Sequence, residues 1–219
     1  MVERRIFVTG GSSGLGKELV LQSLNRNLLS FFHQRTNSAS ELGVEFVYGD
    51  IKDLKTQDDI ISFVKEKNVN VFINNAAIYS NKSIEDITYN EINELISVNL
   101  LSPIFLTKRV LDIFSEQGQG MVYNINSLAG INGSKNESIY CTTKHGLKGL
   151  TDSLKYEYKG QKNIRIVNVT LGAFKSKMTI ERDTYPLLGE TSDVANCILD
   201  HICQDYNSIL SDLIITRNS

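Results

Sequence analysis

Tyr140 and Lys144 stand four residues apart, and Ser127 lies thirteen residues before the tyrosine. On a helix, residues at the first spacing share a face, with Cβ atoms about 5–6 Å apart. A free tyrosine titrates near about 10, too high for proton exchange at neutral pH. A neighbouring ammonium favours the phenolate and lowers that value. At ~4 Å and an effective dielectric near ~20, the attraction is on the order of 4 kcal/mol before desolvation costs. A phenol tuned in this way is a general acid or base, and Ser127 could orient or stabilise a carbonyl oxygen. Tyr-x-x-x-Lys alone is also an ordinary amphipathic-helix pattern, so the surrounding chain has to decide.

A second stretch with chemical content is Thr9-Gly10-Gly11-Ser12-Ser13-Gly14-Leu15-Gly16. Glycines let a backbone turn sharply and approach a ligand closely. A helix starting there offers N–H groups and a positive dipole end to a pyrophosphate. The spacing is Gly-x-x-x-Gly-x-Gly, not the Gly-x-Gly-x-x-Gly of the usual dinucleotide fingerprint. Without context it is also readable as a tight turn whose glycines relieve crowding. Between a strand and a helix it points to a nucleotide.

These residues need elements that bring them together. The apolar pattern predicts strands over Arg5–Thr9, Leu28–His33, Val44–Tyr48, Val69–Asn74, Gly120–Ser127, Ile164–Thr170 and Ile209–Thr216. It predicts helices over Leu15–Leu24, Leu54–Lys67, Ile139–Tyr158 and Ser192–Cys203. A further long helical stretch is capped by Thr88 and runs towards Phe114, with a break near Pro103. Leu147, Leu150 and Leu154 line one face of the helix carrying Tyr140. Repeated strand–helix alternation gives a parallel sheet covered on both faces. Right-handed crossovers make it a doubly wound Rossmann α/β fold with about seven strands. No linker or repeat divides residues 1–219, so one domain is expected, with a cofactor half before about residue 125 and a catalytic and substrate half after it.

Composition narrows the function classes. The chain of 219 residues suffices for one well-cored domain. Its net charge of −2, with 22% charged residues, offers no basic excess for nucleic acid or an acidic membrane surface. No apolar run reaches the ~18 residues of a membrane span. The start, Met1-Val2-Glu3-Arg4-Arg5, has no apolar core of a secretory signal. Cys141, Cys197 and Cys203 are odd in number and lack Cys-x-x-Cys spacing, so a disulfide framework or zinc site is not expected and a cytoplasmic location is. His33, His145 and His201 are scattered, which argues against a metal.

With both motifs placed, the sequence resembles the short-chain dehydrogenase/reductase family over nearly its whole length. Thr9-Gly10-x-x-x-Gly14-x-Gly16 is similar to that family's cofactor motif, and Asn74-Asn75-Ala76-Ala77 to its Asn-Asn-Ala-Gly motif. Asn99 in Val98-Asn99-Leu100 matches its helix asparagine, Ser127 its catalytic serine, and Tyr140 with Lys144 its Tyr-x-x-x-Lys. The resemblance implies that Tyr140 is the acid in reduction and the base in oxidation. It implies that Lys144 lowers the pKa of Tyr140 and binds the nicotinamide ribose, that Ser127 holds the substrate oxygen, and that Asn99 anchors a proton-relaying water. Hydride transfer places developing charge on an oxygen, which preorganised donors stabilise. Three departures stand out: Ala77 replaces a glycine, Leu171-Gly172 replaces Pro-Gly, and the Gln34–Gly43 and Lys177–Glu190 connections are short.

The resemblance also implies a cofactor site. Ser12, Ser13 and Leu15 complete the turn, Asn75, Ala76 and Ala77 line the cofactor, and Gly172, Phe174 and Ser176 border it. Asn74 is expected to support the sheet. Asp50 and Ile51 are either the adenine contact or, for Asp50, a cap of the following helix. NAD sites of this architecture use an acid roughly twenty residues past the glycines. No Asp or Glu occurs between Glu18 and Glu41; Gln34 stands at the expected place and Arg35 follows it. An arginine there pairs with a 2′-phosphate, although Ser13 stands where many NADP-preferring relatives carry a base. NADP(H) is favoured, with NAD(H) the alternative.

The substrate is expected to be a small carbonyl or alcohol. Its candidate wall includes Tyr79, Leu128, Asn132 and the loop from Phe174 to Leu188. Lys175, Lys177 and Arg182 could meet an anionic group or be solvated charges, and Tyr185-Pro186 could be a lid hinge or a turn. By the resemblance, a homodimer or homotetramer is expected, with Gly146 and Gly149 allowing close approach of a helix, or else packing on the chain's own sheet. The competing readings are a non-catalytic NADP(H)-binding sensor, for which the Ser127–Tyr140–Lys144 set has no use, and a sugar-nucleotide epimerase or dehydratase, which usually carries a larger C-terminal region.

Overall fold

Residue alternation along each strand builds the architecture of the computed structural model, which describes residues 3–36, 42–161, 163–181, 183–204 and 212–216. The strands are β1 Arg5–Thr9, β2 Leu29–Gln34, β3 Phe46–Tyr48, β4 Val71–Asn74, β5 Gly120–Ser127, β6 Ile164–Leu171 and β7 Asp212–Ile215. The helices are α1 Gly14–Asn25, α2 Leu54–Glu66, α3 Tyr89–Ile96, α4 Ser102–Gln117, α5 Ser138–Glu157 and α6 Thr191–Cys203. The seven strands form one parallel sheet in the order β3-β2-β1-β4-β5-β6-β7. The doubly wound fold expected from the sequence is therefore present. β1 pairs with both β2 and β4, so the crevice at its carboxyl end is the topological switch point where such sheets bind ligands.

Successive strand residues face opposite sides. Ile6, Val8, Ile73, Tyr123 and Val167 meet Leu19 and Val20 of α1 and Ile198 and Leu199 of α6. Phe7, Phe72 and Val122 turn the other way, to Ile60 and Val64 of α2 and Leu106, Val110 and Phe114 of α4. Phe7 and Phe72 stack across β1 and β4 with centroids 5.6 Å apart. Towards the carboxyl ends of β4, β5 and β6 the residues become polar. Asn74, Asn124 and Asn168 are register partners across these three strands. Asn74 Nδ2 donates to Thr107 Oγ1 and Asn124 Oδ1, both at 2.8 Å, and Asn124 Nδ2 donates to Thr151 Oγ1 at 2.8 Å. Asn74 supports the sheet as expected.

Several boundaries differ from the sequence reading. β4 begins at Val71 because the Val69 N–H is drawn to the Val64 carbonyl, and the Asn70 side chain bridges Arg5 N–H and the Glu3 carbonyl. The break in the long helix is not at Pro103. It is a π-helical turn over Ser97–Leu101, and Pro103 sits in the first turn of α4, where a missing N–H costs little. The expected start of β7 at Ile209 lies outside the described residues. A Cβ on Gly146 would lie 3.0 Å from Leu100, so this glycine lets α5 pack on the chain's own π-turn; Gly149 is exposed, with no described atom near it.

Candidate active site

The glycine turn owes its shape to contacts that only glycine allows. Gly10 has φ 67°, and a Cβ there would stand 3.0 Å from Ala76 Cα. A Cβ on Gly16 would stand 2.2 Å from the Gly10 carbonyl oxygen, so α1 begins directly against the turn. Thr9 is buried, and its hydroxyl accepts the N–H groups of Asn75 and Ala76 at 2.9 and 3.0 Å. Asn75 Nδ2 donates back to the carbonyls of Thr9 and Gly10 at 2.9 and 3.3 Å. Thr9 and Asn75 thus brace the turn against the segment after β4. Ala77 has no positive φ, so alanine is accommodated where the family pattern has glycine.

Ser13 precedes α1 in extended conformation without capping it through its side chain. The first-turn N–H groups of α1 therefore point to the carboxyl edge of the sheet with the helix dipole behind them. Ser12, Ser13 and Gly14 are exposed, whereas Leu15 and Gly16 are buried. This cradle fits a dinucleotide pyrophosphate: the close contacts at Gly10 and Gly16 hold the turn tight, and a Cβ on Gly14 would meet nothing within 4 Å, which leaves open space at the start of α1. Arg35 is exposed immediately after β2, the strand beside β1. Asp50 braces its own turn: Oδ1 accepts the Lys52 N–H at 3.0 Å, and Oδ2 lies 3.4 Å from Lys52 Nζ. The residue at the cap position of α2 is Asp53, so Asp50 does not cap that helix. Ile51 is buried, its carbonyl taken by Gln57 Nε2 at 2.9 Å and Ser102 Oγ at 3.1 Å.

His33 was not singled out from the sequence as part of this site. Its Nδ1 accepts the Gly10 N–H at 3.5 Å, its Nε2 meets the Gly49 carbonyl at 2.9 Å, and its own carbonyl accepts the Gly11 N–H at 2.9 Å. Those partners assign a neutral ring with its proton on Nε2. Burial pushes its pKa below the usual 6.5, against weaker upward pulls from the Gly49 hydrogen bond and the Asp50 charge. The signal was a histidine ending an apolar strand beside the glycine turn.

On the other side of the crevice, α5 carries Tyr140 and Lys144. Lys144 is 4% exposed, and its Nζ donates to the Ile125 carbonyl of β5 at 3.0 Å. It lies 5.8 Å from the centroid of the Tyr140 ring. Burial pushes the ammonium down to about 8. Asn126 Nδ2 holds the Lys144 carbonyl at 3.2 Å and Asn168 Oδ1 at 3.1 Å, so α5 is fixed to both β5 and β6 at the turn that carries Lys144. Ser127 ends β5 in extended conformation, and its Oγ accepts the Ala129 N–H at 3.1 Å. That contact uses a lone pair and leaves the serine proton for another acceptor.

Asn99 sits in the π-turn, a widened register that recurs at functional sites. Its amide is spent on Ile78, and its Nδ2 also lies 3.4 Å from Thr143 Oγ1 on α5. Tyr79, the next residue, meets the Tyr140 ring edge-on, with centroids 5.2 Å apart and planes at 83°. Tyr79 Oη donates to Glu137 Oε1 at 2.6 Å. The sequence reading placed Tyr79 on the substrate wall and missed Glu137, whose only signal was an acid one turn before Tyr140.

The loop after β6 is folded on itself. Gly172 N–H donates to the Ile215 carbonyl at 2.9 Å, and Phe174 forms an isolated parallel bridge with Gly189. Thr179 Oγ1 accepts the Ser176 N–H at 3.0 Å and donates to the Phe174 carbonyl at 2.7 Å. Lys175 Nζ pairs with Glu190 Oε1 at 2.5 Å, so its charge is already met within the loop. Lys177 is exposed, and Arg182 lies outside the described residues. Tyr185–Leu187 is a 3-10 turn with Pro186 in it. Leu128 is half-buried and Asn132 exposed, in and just after the short 3-10 turn Leu128–Gly130 that follows β5. No described helix is long and apolar enough to cross a membrane.

A family model described as short chain dehydrogenase matches residues 4–185. The NADP-dependent 3-hydroxy acid dehydrogenase of Schizosaccharomyces pombe is 25% identical over 240 residues, covering 97% of this chain and 92% of that protein. The levodione reductase of Leifsonia aquatica is 30% identical over 191 residues, covering 80% of this chain and 71% of that protein. Among solved structures, ElxO with NADP bound superposes with a TM-score of 0.86 at 26% identity, covering 98% of each chain.

Proposed function

The chain belongs to the short-chain dehydrogenase family, and from that premise we propose that it is an oxidoreductase acting between a nicotinamide cofactor and the carbonyl or alcohol of a small molecule. The observation that carries this reading is the buried Lys144 ammonium beside the ring of Tyr140. A buried cation has no structural need of a phenol 5.8 Å away, but a phenol that must release a proton needs the cation. The bound nicotinamide would supply hydride chemistry at the carbonyl carbon. Tyr140 gives its proton to the carbonyl oxygen in reduction and takes it back in oxidation. Ser127 donates to the same oxygen while Ala129 N–H holds its lone pair. Lys144 favours the phenolate, and Asn126 keeps its turn of helix in place.

The cofactor reading rests on the same chain. Gly10, Gly14 and Gly16 leave room for a pyrophosphate at the start of α1, with Ser12, Ser13 and Leu15 around it. Asn75, Ala76 and Ala77 lie on the facing segment, and Gly172, Phe174 and Ser176 close the far side. Arg35 favours NADP(H) over NAD(H), because a guanidinium pairs with a 2′-phosphate in two parallel hydrogen bonds. The NADP bound in one solved relative supports this choice. Exposed Leu101 and Phe105, in the π-turn and on α4, support pairing of two copies through that helix.

The test is Tyr140→Phe, assayed on a panel of carbonyls with NADPH and of alcohols with NADP. Turnover should fall by about 10²–10⁴-fold with cofactor binding intact. Unchanged turnover overturns the reading, and silence of the wild-type protein across the panel despite tight cofactor binding favours the sensor.

A further inference from the structure

We propose that Tyr79 and Glu137 are a positioning pair for Tyr140, the carboxylate fixing the Tyr79 ring and that ring bracing the Tyr140 ring beside Lys144. The proposal rests on the reading of Tyr140 as the acid/base group. Glu137 stands at the first position before α5, and its side chain makes no cap there. It is 9% exposed, a burial that carboxylates accept only with partners. The 2.6 Å contact from Tyr79 Oη has the length of a charge-assisted O–H···O⁻ bond.

Tyr79 is fixed at two points. Asn99 holds the peptide just before it, through hydrogen bonds to both Ile78 N–H and its carbonyl. Glu137 holds its hydroxyl. Between these anchors the ring stands edge-on to Tyr140 at 5.2 Å, a favoured aromatic arrangement. The brace closes on the helix it came from, because Glu137 directly precedes α5 and lies three residues before Tyr140. A misplaced phenol is costly, since a 1 Å displacement of a reacting group can cost roughly 10²-fold in rate. The pair also sets charge. Lys144 follows Tyr140 by four residues on α5 and Glu137 precedes it by three at the start of that helix, Tyr79 comes from the segment after β4, and the π-turn contributes the neutral Asn99. The ammonium favours the phenolate and the carboxylate opposes it.

The test needs no substrate. The full chain, labelled with carbon-13 at tyrosine Cζ, is titrated by NMR, and the Tyr140 signal is the one lost in Tyr140→Phe. Tyr79→Phe keeps the ring and removes its anchor, and should change the Tyr140 chemical shift. Glu137→Gln keeps an acceptor for Tyr79 and removes the charge. It should hold the Tyr140 shift at low pH and lower its titration midpoint by on the order of one pH unit. Glu137→Ala should show both effects. A Tyr140 signal whose shift and midpoint stay unchanged in Tyr79→Phe and Glu137→Gln overturns the proposal, and both are close isosteres expected to fold. The outcome is separable from the functional reading, which is tested by the turnover of the wild type and of Tyr140→Phe and not by this titration.

Discussion

The side-chain amide of Asn99 closes on the peptide of Ile78 from both sides, accepting its N–H and donating to its carbonyl, each at 2.8 Å. The π-turn therefore reaches the segment that leads to Tyr79 and, through Tyr79, the helix that carries Tyr140. Asn99→Leu removes both bonds and leaves a half-buried peptide without these partners. It should cost about 2–4 kcal/mol of stability, read as a lower urea midpoint. Asn99→Asp keeps the acceptor but sets an oxygen against the Ile78 carbonyl, and should fall between the two. A midpoint for Asn99→Leu equal to wild type would show that the clasp is idle.

Lys144 gives a pH dependence of definite sign. Its folded value is about 8 against an ordinary 10.5, so between those values the unfolded chain binds more protons than the folded one. Stability contributed by this site rises with pH through that window. The difference between wild type and Lys144→Met should therefore shift in favour of wild type from pH 8 to pH 10.5, by on the order of 3 kcal/mol. Urea titrations of both proteins at the two ends check it. A difference that is flat with pH would mean that the ammonium is not desolvated.

His33 acts at the acidic end. Its folded value lies below the ordinary 6.5, so below about 6.5 the unfolded chain takes up the proton first and stability falls as pH falls. Protonation would also place an N–H against the Gly10 N–H it now accepts. Stability should thus fall from pH 7 to pH 5.5, and His33→Gln should flatten that trend. Urea titrations at each pH measure it. Parallel pH trends in wild type and variant would remove His33 from the account.

Arg35→Ala should weaken NADP(H) by about 10–100-fold and leave NAD(H) within a factor of about two, because only one of the two carries a phosphate for the guanidinium. Dissociation constants for both cofactors, measured at one ionic strength, decide it. Equal losses would show that Arg35 contributes only general charge.

The strand–helix alternation, the glycine turn and the Tyr140–Lys144 spacing were legible in the sequence because each rests on a local rule of periodicity or residue type. The π-turn was not, because shifting a few hydrogen bonds from the fourth to the fifth residue leaves the apolar pattern of a helix intact. The break was therefore assigned to Pro103, the visible helix breaker. Glu137 and His33 escaped for a different reason. Their partners, Tyr79 and Gly10, are distant in sequence, and no spacing rule connects them. Lys175 read as a free cation for the same reason, its partner Glu190 lying on the far side of the loop.

The asparagines at the carboxyl ends of β4, β5 and β6 have a consequence for assembly. Their partners lie 50 residues apart for Asn74 and Asn124, and 42 for Asn126 and Asn168. Parallel strands that must meet across such separations form late and are prone to pair one step out of line. Apolar side chains tolerate such a slip poorly but not specifically, since one valine resembles another. A slipped asparagine is stranded without its mate, at about 1–3 kcal/mol for each buried group left unmatched. The seam thus works as a proofreading mark: only the pairing that aligns β4, β5 and β6 correctly also sets the turn of α5 that bears Lys144.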